Sequence, residues 1–303
     1  MAEPRYVGGQ AVVEGVMMRG ESTWAVAVRR PDGEITVEVH EVPGWSEKYR
    51  NVRVLRGVTG LGESLGLGYR ALAWSANEQI PEEDRVSSGV MGWTIVAAAL
   101  FFSAIFIMIP AFAGTGLSHL FRGSFPIMEG IVRLALFVGY LLLVGRLKDI
   151  RRVFQYHGAE HKTIAAYEND VELTPETAQQ FSTAHVRCGT NFLLIVMVVA
   201  VFVYSVIPRP NLWFVIGSRL VLVPVIAGLS YEVIRLAAKN MKRGWVRLLM
   251  RPGLLLQRLT TREPDLDQLE VAIASLQAVF TAEQRVEVDA RVGRRVPAVA
   301  PAV

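Results

Sequence analysis

Cysteine is nearly absent: Cys188 stands alone in 303 residues, so no intrachain disulfide framework can form. That scarcity fits a reducing compartment for the polar segments. Charge imbalance is also slight, at +4. The Lys and Arg residues flank apolar blocks and form no single basic face, which argues against nucleic-acid binding. The first residues, MAEPRYVGGQAVVEGVMMRGE, lack an uninterrupted apolar core and carry Glu3 and Glu14. They do not read as a signal peptide, so an internal span is expected to direct the chain into a membrane. From Val86 to Phe121 there is no Asp, Glu, Lys or Arg at all.

Apolar residues are plentiful, at 51% of the chain, with a mean hydropathy of +0.32. Charged residues still make up 20%, so greasy and polar blocks must be segregated. VMGWTIVAAALFFSAIFIMIPAFAG is long enough to cross a bilayer, which takes about 20 apolar residues. A second block, Ile131 to Gly145, is extended by FPIME before it, and its Glu129 and Arg133 lie four apart, where they can pair on one helix face. A third runs from Gly189 to Ile207 and stops at Pro208 and Pro210. A fourth runs from Leu212 to Ile234. Arg219, inside the fourth, costs about 2.5–3.5 kcal/mol on insertion scales; it is expected to face the bundle, towards Glu129, or to reach for the outer surface.

The loops between these blocks differ in charge. The first and third links offer only Arg122 and Arg209. The middle loop offers Arg146, Lys148, Arg151, Arg152, Lys162 and Arg187, and the segment after the fourth block carries Arg235, Lys239, Lys242, Arg243, Arg247 and Arg251. The positive-inside rule then places both termini and the middle loop in the cytoplasm. The expectation is a mainly α, multi-pass protein of the cytoplasmic (inner) membrane with about four transmembrane helices and the lipid bilayer as its partner.

The polar segments carry their own signals. STWAVAVRRPDGEITVEVHEV reads as a β-hairpin around Pro31-Asp32-Gly33. NVRVLRGVTGLGESLGLGYRALAWSANEQ reads as an amphipathic helix, interfacial or packed, because charges interrupt it. Asp265 and Asp267 mark a helix start after Pro264, with Leu269, Ile273, Leu276 and Phe280 at helical spacing. The expected organisation is a cytoplasmic N-terminal region with a small β-hairpin (1–85), a four-span domain (86–236) with its cytoplasmic middle loop (146–188), C-terminal cytoplasmic helices (237–281) and a disordered tail (282–303).

The middle loop contains YHGAEHKTIAAYE. On a helix spanning Asp149 to Glu168, His157 and His161 lie about 40° apart, Glu168 falls between them, and Glu160 sits about 60° to one side. Two imidazoles at i and i+4 suit zinc, and a carboxylate can complete a three-ligand open site. The order H-x-x-E-H is the inverted form of the zinc-protease motif, which makes Glu160 the candidate general base. The competing reading is a solvated polar helix on which this spacing arises by chance, and Gly158 also weakens the helix by about 1 kcal/mol relative to Ala. Competitors for the third ligand position are His185 and Cys188 in HVRCGT, a plausible half of a zinc site, and Glu232, a carboxylate near the cytoplasmic end of the fourth block. Glu14, Arg19 and Arg187 are candidates for positioning substrate. For Glu14 and Arg19 the alternative is an ordinary edge strand.

GGQAVVEGVMMRG, YHGAEHKTIAAYE, HVRCGTNF, PVIAGLSYEVIRLA and PGLLLQRLTTREPDLDQLEVAI together resemble the YqhQ-like family of bacterial membrane proteins. The resemblance covers about residues 6 to 280. It implies a membrane protein with a metal site, because the family is described as a predicted metal-dependent enzyme, but it supplies no reaction. The leading expectation is a zinc-dependent hydrolase of peptide, amide or lipid-linked substrates. The alternative is a non-enzymatic scaffold or assembly factor whose polar motifs are structural. Transport ranks last, since the first and third spans carry almost no polar groups.

Overall fold

The computed structural model describes residues 7–120, 125–185, 188–208, 211–240, 243–280 and Val288. The expected disordered tail (282–303) lies outside these apart from Val288, and Arg187 lies outside them too. The described chain is mainly helical, with one four-stranded antiparallel sheet in the order β1-β2-β3-β4. The strands are β1 (Gly8–Val12), β2 (Gly15–Arg19), β3 (Thr23–Arg29) and β4 (Ile35–Glu41).

The expected hairpin is β3–β4. Gly33 turns it at φ 93, a left-handed conformation that costs glycine nothing, and Gly33 N donates to Arg30 O at 2.9 Å. The sheet also extends further back than the sequence suggested. Val12 pairs with Gly15, so GGQAVVEGVMMRG is a second hairpin, and Glu14 occupies its turn at φ 51.

Strands β2 and β3 are buried on both faces, which explains their unbroken apolar runs. Val16, Met18, Ala25 and Ala27 point to one side. Met17, Trp24, Val26 and Val28 point to the other, following the period of two. Helix α1 (Leu55–Asn77) covers the second face through Leu67 and Ala71. It is the packed alternative of the amphipathic helix.

The next elements are apolar. Helix α2 (Ser88–Ser103) passes through a π-helical turn, Ala104–Met108, into α3 (Ile109–Leu120). Helix α4 (Phe125–Val144) follows, then α5 (Lys148–Glu168), which carries the HGAEH motif, and the short α6 (Pro175–Gln179). Helices α7 (Gly189–Ser205) and α8 (Leu212–Lys239) pack together and lead to α9 (Gly244–Thr260) and α10 (Leu266–Ala278). Helices α5 and α10 cover the first face of the sheet, where Tyr156, Ala159 and Ile164 meet Leu269, Ile273 and Leu276. The α10 start is a capping box, with Gln268 Oε1 accepting from Asp265 N at 3.0 Å.

Among the described residues, three helices are long and apolar enough to cross a membrane: Gly89–Ser118, Phe125–Val144 and Trp213–Lys239. The fourth expected span, α7, has 17 residues, about 25 Å at 1.5 Å per residue. It falls short of the other three in length, although its composition is as apolar.

Within this layer Arg219 is fully buried and turns inwards. Its Nη2 lies 2.6 Å from Glu129 Oε2, and Arg133 Nη2 lies 2.7 Å from Glu129 Oε1. Arg219 also covers the Tyr204 ring at 4.0 Å. Arg133 Nε donates to Phe106 O at 3.1 Å, a carbonyl of the π-helical turn, where the regular ladder is interrupted.

Candidate metal centre

Helix α5 presents His157 and His161 on one face, with ring centroids 4.5 Å apart. Each ring is anchored from behind. His157 Nδ1 lies 2.8 Å from Thr260 O, and His161 Nδ1 lies 2.5 Å from Thr183 O. A carbonyl only accepts, so each Nδ1 carries a proton, which leaves Nε2 as the atom through which each ring could bind a metal. This is how metal-binding imidazoles are commonly oriented.

The third group is Cys188. Its Sγ lies 3.3 Å from His157 Nε2. The residue is the N-cap of α7, and Sγ also accepts from Thr190 N at 3.4 Å. Ligand atoms of His157, His161 and Cys188 all lie within 4.8 Å of one another. Two imidazoles and one thiol form a donor set that fits zinc with a fourth position open.

Glu160 is buried beside this cluster. Burial pushes its carboxyl up to about 7, opposed by nearby His157 and aided by Cys188. Burial likewise lowers His161 to about 3, with His157 adding to the effect, and it raises the Cys188 thiol above its ordinary value. All three shifts favour neutral forms, as expected where charge is poorly solvated.

Two glycines make this arrangement fit. A Cβ on Gly158 would sit 2.0 Å from Arg262 O. The segment after α9 therefore crosses α5 at this point, fixed by Arg262 N donating to Phe154 O at 2.9 Å, and so delivers Thr260 O to His157. A Cβ on Gly9 of β1 would lie 2.8 Å from Glu160 Cγ, so β1 backs directly onto the carboxyl side chain. A cavity of about 400 Å³ opens between β1 and these groups.

The other candidates lie elsewhere. Glu168 does not join the cluster; its Oε2 lies 3.3 Å from His185 Nε2, at the half-exposed end of α5. His185 does line the cavity, with its ring 5.6 Å from His161. Its backbone is clamped by Gln257, which accepts from His185 N at 2.9 Å and donates to His185 O at 2.8 Å. Glu232 is an ion-pair partner of Arg56 at the start of α1 and accepts from Val54 N at 3.3 Å. Glu14 pairs with Arg152 and accepts from Tyr156 OH at 3.4 Å. Arg19 pairs with buried Glu63 of α1. Glu14, Arg19 and Glu232 thus join elements and do not line the cavity.

Sequence reading missed the supporting shell: Thr260, Gln257 and the Thr183 carbonyl. QRLTT carries the only readable signal, a polar run ending an amphipathic helix. A backbone carbonyl leaves no mark on a sequence.

Comparison with known proteins identifies a family and adds no activity. A family model described as "Protein of unknown function (DUF1385)" matches residues 52–282, which include α1 and every residue of the cluster. The chain is 36% identical over 304 residues to the "Uncharacterized protein YqhQ" of Bacillus subtilis (strain 168), covering 92% of this chain and 94% of that protein. No solved structure matches. The chain belongs to the DUF1385 family of YqhQ-like proteins.

Proposed function

We propose that this is an integral membrane protein with four spans and a zinc-dependent hydrolytic site on its cytoplasmic face. One observation carries the reading. Two imidazoles held by Thr260 O and Thr183 O, and the Cys188 thiol, converge within 4.8 Å beside a buried carboxyl. Solvated polar helices do not tie both Nδ1 atoms and bring in a distant cysteine. His157, His161 and Cys188 would hold the ion. Zinc bound there would supply Lewis acidity, polarising a substrate carbonyl and acidifying water. Glu160, near 7, is matched to a general base that takes a proton from water and returns it to the leaving group. The apolar lining residues Val153, Phe154 and Ile164 limit competing water.

The topology is supported by the three long apolar helices and by the basic loops on one side. Metal analysis of the protein purified without added metal tests the reading. About one zinc per chain is expected, with loss in the double variant His157→Ala, His161→Ala. Glu160→Gln is expected to keep the zinc and abolish hydrolysis. A wild-type protein free of zinc and of other transition metals would overturn the proposal.

The scaffold reading is favoured by one observation: Glu14, Arg19 and Glu232 all serve in ion pairs between elements. It expects Glu160→Gln to change stability or partner binding and leave no hydrolytic activity to lose.

A further inference from the structure

The sheet leaves β1 at its edge. It pairs with β2 on one side, and among the described residues no other strand pairs with its outer side. The β1–β2 connection is a two-residue turn, Val13–Glu14, closed by Val12 and Gly15. In such a hairpin the closing pair is hydrogen-bonded and the pattern alternates. Val12, Gln10 and Gly8 therefore bond to β2, while the N–H and C=O groups of Gly9 and Ala11 point outwards.

That open edge does not face bulk solvent alone. Val7 to Ala11 form one wall of the cavity whose other wall carries His157, Glu160, His161 and Cys188. The face of β1 at Gly9 packs directly on the Glu160 side chain beside it. A row of free backbone donors and acceptors is a template for one kind of ligand, a second extended backbone. A lipid or a sugar offers no repeat of groups to match it. Val153, Phe154 and Ile164 line the same space and suit apolar side chains.

We propose that β1 is a docking strand for an extended peptide segment of another protein, which adds to the sheet and lays its backbone across the metal centre. The substrate class of the hydrolytic site is then a peptide amide, an assignment that rests on the hydrolase reading above. In the reaction the oxygen of water bonds to the carbonyl carbon and the C–N bond breaks. Glu160 carries one water proton to the departing nitrogen, giving an acid and an amine.

The test is binding by the full-length protein in lipid nanodiscs. The variant Glu160→Gln, loaded with zinc, is titrated with a fluorescein-labelled pool of unstructured, apolar-rich decapeptides, and the tightest peptide is then N-methylated one residue at a time. The expected pattern has a period of two: methylation at alternate residues weakens binding about tenfold, the loss of a backbone hydrogen bond or two, and at the intervening residues under about twofold. Ala11→Pro, which deletes one outward N–H and leaves the β2 ladder intact, is expected to weaken the same peptide by a similar factor at unchanged zinc content. If Ala11→Pro does not fold, the methylation series decides. A protein that holds zinc but binds no peptide of the pool overturns the proposal, as does a methylation series with no alternation. Absence of zinc from the wild-type protein is a separate result. It removes the hydrolase reading, and the methylation series read on metal-free protein still decides the docking strand.

Discussion

Cys188 Sγ lies 3.3 Å from His157 Nε2 although 31 residues separate them. Glu168, on the same helix as His157 and at a compatible angle, lies with His185 instead. The ligand set proposed for the metal is therefore His157, His161 and Cys188. Cys188→Ser is expected to weaken zinc binding by at least tenfold, while Glu168→Ala changes it by less than about threefold, both measured by competition with a chromophoric chelator. Equal losses in the two variants would return Glu168 to the set.

Proton release gives an independent check. Before metal binds, burial keeps the Cys188 thiol above its ordinary value, so it is protonated at neutral pH. Zinc bound there would take the thiolate, and one proton would have to leave. His161 contributes none, because it is already neutral at any pH well above about 3. Glu160, near 7, adds a fraction as the nearby cation favours its ionised form. Calorimetry in buffers of different ionisation enthalpy is expected to find between one and about 1.5 protons released per zinc at pH 7. Apparent affinity then rises about tenfold per pH unit between pH 6 and 8. A flat profile would mean that no thiol proton is lost.

Gly158 sits mid-helix, where alanine is normally favoured by about 1 kcal/mol. Here the preference is expected to reverse. The added Cβ would meet Arg262 O at 2.0 Å, so either α5 or the segment after α9 must move. Gly158→Ala is expected to lose about 1–3 kcal/mol of stability, the range for overpacking. It should also weaken zinc binding, because the same shift draws Thr260 O away from His157. Thermal melts of both metal-free and zinc-loaded protein would read the two effects separately. A rise in melting temperature would refute the close approach.

The buried ion pair of Arg219 and Glu129 makes a different prediction. Glu129 accepts from two guanidinium groups, so Glu129→Ala strands two cations in an apolar layer. A loss of about 3–5 kcal/mol is expected, as for breaking one side of a buried pair. Arg219→Met leaves Glu129 with Arg133 and is expected to cost less. The double variant Glu129→Ala, Arg219→Met should be milder than the sum of its parts. Unfolding in detergent micelles would measure this cycle, and strict additivity would show that the groups do not interact.

Sequence by itself determined the periodic and compositional features. Long uncharged runs marked the apolar helices, because burying charge in such a layer is costly. Helical spacing put His157 and His161 on one face of α5, and Pro31-Asp32-Gly33 marked the β3–β4 turn. These are local properties, fixed within a few residues by backbone geometry. Tertiary structure decided everything that joins distant segments. Helix angles alone gave Glu168 a place equal to that of any other ligand, and only packing brought the α7 N-cap at Cys188 to the α5 face. At the first hairpin the sequence offered at most an edge strand, because β2 is apolar on both faces, which erases the alternation that reveals a strand. Gly158 counted against the helix in isolation, and it became necessary only when the chain around Arg262 crossed it. The roles of Glu14, Arg19 and Glu232 were open for the same reason: a carboxylate or a guanidinium looks alike in sequence whether it serves an active site or pairs with a charge from another helix.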